Sequence, residues 1–134
     1  MAARAALQSL LEGDQPLIDL GVTTVYPTNS VDTPPDSLFL IVRWDPTTRA
    51  FGSKGQDRVQ IWAHDKSHDY GRVSACLARL RDLLPAAVQL PGADGWTFVT
   101  AEWRGEGPDL YDDGYQTVTR FADFTLVSRY TASG

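Results

Sequence analysis

The densest group of chemically capable side chains is the run His64-Asp65-Lys66-Ser67-His68-Asp69. Two imidazoles and two carboxylates within six residues are the right types to ligate zinc or to move protons. Zinc requires roughly four ligands converging from fixed elements, and no second ligand cluster elsewhere in the chain completes such a set. The run also joins a strand pattern to a helix pattern, where Asp, Ser and His serve as turn formers and N-caps. The capping reading is the better one.

Asp109, Asp112 and Asp113 supply a second concentration of carboxylates. They lack the spacing of a calcium-binding EF-hand loop and its closing bidentate Glu, so they read as a solvated or partner-facing acidic loop. Cys76 is the single cysteine. It lies between Ala75 and Leu77 with no histidine beside it, and reads as a buried thiol without a base to activate it. One cysteine also excludes an intramolecular disulfide and fits folding in a reducing compartment. Glycines 52, 55, 105 and 107 form no phosphate-binding motif, and no G-x-S-x-G elbow occurs. The sequence therefore predicts no catalytic residue, no metal and no cofactor.

The elements that carry these residues follow from apolar spacing. Leu7, Leu10 and Leu11 form one helical stripe in 2–12, stopped by Gly13. Asp14 is placed to cap a further short turn starting near Pro16 and ended by Gly21. Val22 to Tyr26 reads as a short strand, and the proline-containing stretch Pro27 to Asp36 as a loop. Ser37 to Trp44 is almost continuously apolar, which predicts a strand covered on both faces. Asp45 to Asp57 reads as a hairpin loop longer than the usual two to five residues, and hence as mobile.

Arg58 to His64 alternates, with Val59, Ile61 and Ala63 on one face and Arg58, Gln60, Trp62 and His64 on the other. A helix over Tyr70 to Leu84 follows, capped by Ser67 or Asp69. Its core stripe is Val73, Leu77, Leu80 and Leu84, its arginines 72, 79 and 81 stand mostly outward, and Pro85 ends it. Val88 to Leu90 suits a short strand, Trp96 to Trp103 a longer one, and Thr117 to Tyr130 a long one bent near Phe121. Arg104 to Tyr115 is an acidic, glycine-containing loop. This order predicts one α+β domain over residues 1–134: a mainly antiparallel sheet of four to five strands with two helices packed on one face. Trp62 shares its face with polar residues and Trp103 runs into the acidic loop, so both are candidate interface anchors.

The bulk numbers limit the function. The chain has 134 residues, 43% hydrophobic and 22% charged, an ordinary composition for one domain with a real core. Twelve Lys and Arg against seventeen Asp and Glu give a net charge of −5. A sequence-independent nucleic-acid binder needs the opposite surplus. The N-terminal residues lack the apolar core of a signal peptide, and no apolar run approaches the ~20 residues of a membrane span, so neither export nor membrane insertion is expected.

The order of segments resembles a known family. TTVYP leads through a loop to SLFLIVRWD, a glycine-containing loop precedes RVQIWAHD, and the DYGRVSACLARLRDLL helix follows directly. A W-x-x-x-G-x-D-L-Y-D-D-G-Y loop and a TRFADFTLVSRY strand close the pattern. This is similar to the minor tail proteins that act as tail terminators in long-tailed bacteriophages, especially those infecting actinobacteria. The resemblance implies an α+β sandwich and a homohexameric ring, seated on the tail tube once the tube has reached full length. Such a ring ends tube polymerisation and joins the tail to a head-completion protein, with tube protein, neck protein and further copies as partners. It implies assembly in the host cytoplasm and a final place in the virion at the head-proximal end of the tail. An acidic subunit would suit a lumen through which genomic DNA slides without sticking. No catalytic residue is implied. The expected contacts are Arg49, Phe51 and Lys54 in one loop and Asp109, Tyr111 and Asp112 in the other, with Trp62 and Trp103. Another neck protein of the virion, or more distantly a small ligand-binding or hydrolytic domain, are the alternatives.

Overall fold

Hydrogen-bonded strand pairing organises the chain around two long central strands. A computed structural model describes residues 3–27, 37–45, 49–51 and 54–130, without the side chains of 49–51 and 54. Three helices, α1 (Arg4–Glu12), α2 (Gln15–Leu20) and α3 (Tyr70–Ala86), accompany eight strands. These are β1 (Val22–Tyr26), β2 (Leu38–Trp44), β3 (Arg49–Phe51), β4 (Lys54–Asp65), β5 (Leu90–Pro91), β6 (Trp96–Glu106), β7 (Leu110–Asp112) and β8 (Thr117–Tyr130). The sheet runs β1-β2-β4-β8-β6-β5, with β3 added beside β4 and β7 beside β8. The α+β class and the antiparallel character expected from sequence hold; only β1 and β2 pair in parallel. The strands number more than the expected four to five because three short pieces, β3, β5 and β7, extend the long ones.

The alternating residues sort by face as their spacing demands. Leu38, Leu40 and Val42 of β2, Val59, Ile61 and Ala63 of β4, and Ala122, Phe124 and Leu126 of β8 join one core with Leu7, Leu11, Leu17 and the α3 stripe Val73, Leu77, Leu80 and Leu84. Helix α1 touches both β1 and β6, which lie towards opposite edges of the sheet. Both contacts are possible because the sheet curls around the helical layer. Ala3 N donates to the buried Ser128 Oγ at 3.1 Å and Gln8 Nε2 to the Val25 carbonyl at 2.7 Å, tying α1 to both sides.

Polar ends and arginines fix the helices. Asp14 caps α2, accepting from Leu17 N at 3.2 Å. The same carboxylate takes two bonds from Arg79 of α3, 3.0 Å from Nε and 2.7 Å from Nη2. Asp69 is the cap of α3, accepting from Gly71 N and Arg72 N. Arg72 donates to the Leu20 carbonyl at the end of α2 and to Ser67 Oγ. Gly21 closes α2 at φ +106°, and a Cβ there would collide with Arg72 Nη2. Arg72 and Arg79, two of the three arginines expected outward, are therefore links between α2 and α3. Pro85 does not end α3, which continues to Ala86; in a last turn the missing N–H forfeits a single bond.

Of the segment 45–57, expected as a mobile loop, residues 49–51 and 54–57 are sheet. Arg49 pairs with Gln56, Ala50 with Gly55 and Phe51 with Lys54, leaving two residues between the strands. Residues 28–36, expected as a loop, lie outside the described residues, as do the side chains of Arg49, Phe51 and Lys54.

The Asp14 carboxyl is held below its ordinary value, first by the Arg79 hydrogen bonds, with burial opposing. A lowered folded-state value contributes stability at neutral pH that is lost as pH falls through the acid range below about 4. Asp14→Asn keeps a good cap and removes the charge, so its deficit against the parent should be largest at pH 7 and shrink towards pH 3. Asp14→Ala should cost about 1 kcal/mol more than Asn at pH 7 through loss of the cap. Urea denaturation across that pH range measures both.

Candidate functional site

The face of the sheet away from the helices carries Trp62 and His64, two of the residues singled out by sequence. Cross-strand pairing sets Ile41 against Trp62 and Trp62 against Phe121, and sets Phe39 against His64 and His64 against Thr119. The result is an aromatic band. Tyr26 meets Phe39 edge-on at 5.8 Å, the Phe39 and His64 rings stack at 5.0 Å, and Trp62 lies 4.7 Å from Phe121. Trp62, a candidate anchor, is half-buried within this band, with Nε1 donating to Gln60 Oε1.

One end of this face is covered by the chain itself. After β6 the segment 107–109 leads into β7, and the turn before β8 lays Tyr115 across the sheet, edge-on to Phe39 at 6.0 Å and to His64 at 5.4 Å. Asp112 Oδ1 accepts from Tyr115 N at 2.8 Å and holds the turn. Phe39, Ile41, His64 and Thr119 are consequently buried although they face away from the helices. That explains the continuous apolar run in β2, covered on both faces as expected. Gly107 approaches β8 so closely that a Cβ would enter the Phe121 ring, while its N–H donates to the Phe121 carbonyl at 2.8 Å. Gly105, at φ +138°, sits at a register break between β6 and β8.

Arg120 secures the same segment from the helical side. It donates to the Gly107 carbonyl, to Ser74 Oγ of α3 and to Glu106 Oε1, and its Nε lies 3.2 Å from Asp109 Oδ1. Nothing in the residue spacing had singled out Arg120 or Tyr115. The acidic loop is thus built into the fold, with its apolar tip left outside: Leu110 is 38% and Tyr111 51% exposed. Tyr111 meets His68 edge-on at 5.6 Å, and Tyr70 Oη donates to the Leu110 carbonyl at 2.7 Å. Trp103, the other tryptophan expected as an anchor, lies on the helix-covered face. It packs edge-on against Phe124 at 5.5 Å beneath the Arg81 guanidinium.

The 64–69 run is divided among separate partners. His64 Nδ1 shares a 2.8 Å hydrogen bond with Thr117 Oγ1, and His68 Nε2 donates to the Gln116 carbonyl. Asp65 accepts from Ser67 and Asp69 caps α3. Among the described residues no three His, Cys, Asp or Glu side chains converge as a metal site. Cys76 is fully buried, and burial pushes its thiol up to about 12, far from a reactive thiolate. Two shallow clefts adjoin the aromatic band and share Arg43. One, of about 250 Å³, is lined by Ile41, Arg43, Trp62, His64, Asp112 and Tyr115. The other, of about 380 Å³, is lined by Arg43, Trp44, Asp45, Arg58, Gln60 and Asp123, with Arg58 paired to Asp123 at 2.7 Å. Neither brings a nucleophile to a base.

The fold has a counterpart among solved structures. A chain from the virion of a native gene transfer agent particle superposes with a TM-score of 0.75 at 17% sequence identity, covering 96% of this chain and 95% of that one. At that identity the likeness is one of fold, and it extends over both chains almost entirely. No protein-family model and no curated protein matches the sequence.

Burial holds His64 neutral by pushing its pKa down to about 4, with Asp112 opposing weakly. The unfolded chain takes up that proton near pH 6.5, whereas the folded chain resists it until about pH 4. Stability should therefore fall as pH drops from about 6.5 to 4, by up to about 3 kcal/mol. His64→Phe, which keeps a stacking ring, should flatten that slope. Urea midpoints at pH 7 and pH 5 compare the two.

Proposed function

We propose that this protein is a structural subunit of a virion, and within it the terminator of the tail: a ring that seats on the finished tail tube, ends its polymerisation and receives the head through a neck protein. The observation that carries this reading is the near end-to-end likeness of fold to a chain of a gene transfer agent virion. The order of segments that resembles tail terminators, from TTVYP to TRFADFTLVSRY, is the second support and carries the finer assignment.

The arrangement of the contact segments agrees with ring formation. In β4 the Lys54 end, where β3 turns back, lies at Arg129 of β8; the Asp65 end lies at Val118, beside β7. Residues 49–51 with Lys54, and residues 109–113, therefore occupy opposite ends of the sheet, roughly 36 Å apart along β4 at about 3.3 Å per residue. A contact between two different ends is head-to-tail, and such contacts close into rings when the rotation permits. Arg49, Phe51 and Lys54 are proposed for one side of it, and Asp109, Tyr111 and Asp112 for the other. Trp62 belongs to the open aromatic face and is proposed as a contact for the tube or neck partner. Trp103, under Arg81, supports the fold of each subunit.

A tail-assembly system lacking this protein should produce overlong, headless tubes in negative-stain micrographs, and adding it back should restore uniform length. Tubes of normal length without heads would assign it to the neck instead. Phe51→Ala should leave the melting temperature of the monomer within about 2 °C and reproduce the overlong phenotype. Charge reversal at Arg49 should have a much smaller effect, since an exposed ion pair contributes roughly 0–1 kcal/mol and a buried aromatic anchor about 2 or more.

A further inference from the structure

The segment that covers one end of the aromatic face is itself poorly buried. Of residues 107–116 only Gly107 is buried; Asp112 and Tyr115 are half-buried and the other seven are exposed. What lies beneath is the reverse: Phe39 is fully buried, and Ile41, His64 and Thr119 are 5% exposed or less. A segment that buries so little apolar surface of its own parts from the fold at a small fraction of the cost of global unfolding.

Its attachments divide it into a fixed base and a lighter remainder. Arg120 pins the base through the Gly107 carbonyl, Glu106 and Asp109. Beyond the far end Thr117 is fully buried and bonded to His64. Between them, residues 110–116 rest on the sheet through the short β7–β8 pairing and the Tyr115 ring. Two bonds reach this stretch from the start of α3, Tyr70 Oη to the Leu110 carbonyl and His68 Nε2 to the Gln116 carbonyl, and both are exposed, so water competes for them. His68 and Gln116 stand at φ +60° and +56°, a region a Cβ disfavours, and the bond between them holds both there. Beside Tyr115 and Asp112 a cleft of about 250 Å³ runs on to Trp62 and Arg43, so packing does not enclose the ring on that side.

We propose that residues 110–116 form a strap that lifts from the sheet in the native state, carrying Tyr115 off Phe39 and His64 while β4 and β8 stay paired. Closed, it ends the open aromatic face at Trp62 and Phe121. Lifted, it adds Phe39, Ile41 and the His64 ring to that face, since Ile41 and His64 already adjoin Trp62. The lift itself stands on burial and backbone geometry. Its use, widening the face offered to a partner at Trp62, rests on the reading of that face given above.

The chain has two histidines, of which His64 lies under the strap and His68 is exposed. Diethyl pyrocarbonate acylates neutral imidazole, and at a single-hit dose the two sites are told apart by tandem mass spectrometry. The expected His64 rate is nearly independent of urea below the unfolding transition, because lifting the strap exposes little surface, and turns upward only where global unfolding takes over. Tyr115→Ala should raise the low-urea rate about tenfold or more, and Tyr115→Phe, which keeps the ring, should raise it much less. A His64 rate that tracks global unfolding down to zero urea, or one that Tyr115→Ala leaves unchanged, would overturn the strap. If Tyr115→Ala does not fold, the urea dependence of the parent decides alone. These rates are read on the protein without tube or neck partners, so this result and the tail-assembly result stand or fall separately.

Discussion

The unbroken antiparallel pairing of β4 with β8 is the constraint on which the rest of the molecule depends. It runs for twelve residues, from Lys54 opposite Arg129 to Asp65 opposite Val118, without a register shift. Because side chains alternate strictly along such a ladder, one register decides both faces at once. Ile61, Ala63, Ala122 and Phe124 enter the helical core. Trp62, His64 and Phe121 are delivered to the aromatic band. The register breaks fall in the flanking strands, between Phe98 and Thr100 and between Trp103 and Gly105 of β6. There they bend the sheet around α1 without disturbing its centre.

The same pairing separates the ends. If the proposed contact segments are the ones used, their placement at opposite ends of the long strands leaves a subunit little freedom in how it joins its neighbours. The acidic end is held in shape by the Arg120 bonds to Gly107, Glu106 and Asp109 and by the turn that places Tyr115 over His64. Its Leu110 and Tyr111 remain outside. Burial keeps His64 a neutral ring and Cys76 a neutral thiol.

Much of this was legible in the residues. Strict alternation from Arg58 to His64 and the i, i+3, i+4 leucines fix the central strand and α1 because those periods admit one geometry each. Asp14 and Asp69 announce themselves as caps through the short carboxylate before an apolar run. What was hidden depends on long-range placement. Arg79, read as an outward residue, finds Asp14 sixty-five positions away. Tyr115, in a polar loop, becomes the cover of a strand that precedes it by more than seventy residues. Trp103 follows the register onto the core side, which its polar sequence neighbours conceal. The pairing of Phe51 with Lys54 had a local signal in the intervening Gly-Ser dipeptide, a combination favoured in two-residue hairpins.

Under the proposed function these features serve contact: a long central ladder, a face partly covered by the chain itself and an aromatic band beside it. Native mass spectrometry of the protein, alone and with tail-tube protein, tests that account most directly. The account predicts a monomer in weak exchange at low concentration, and a closed ring of six copies recovered once tube ends are present. A tight two-fold dimer, or a monomer that ignores tube ends at every concentration, would contradict it.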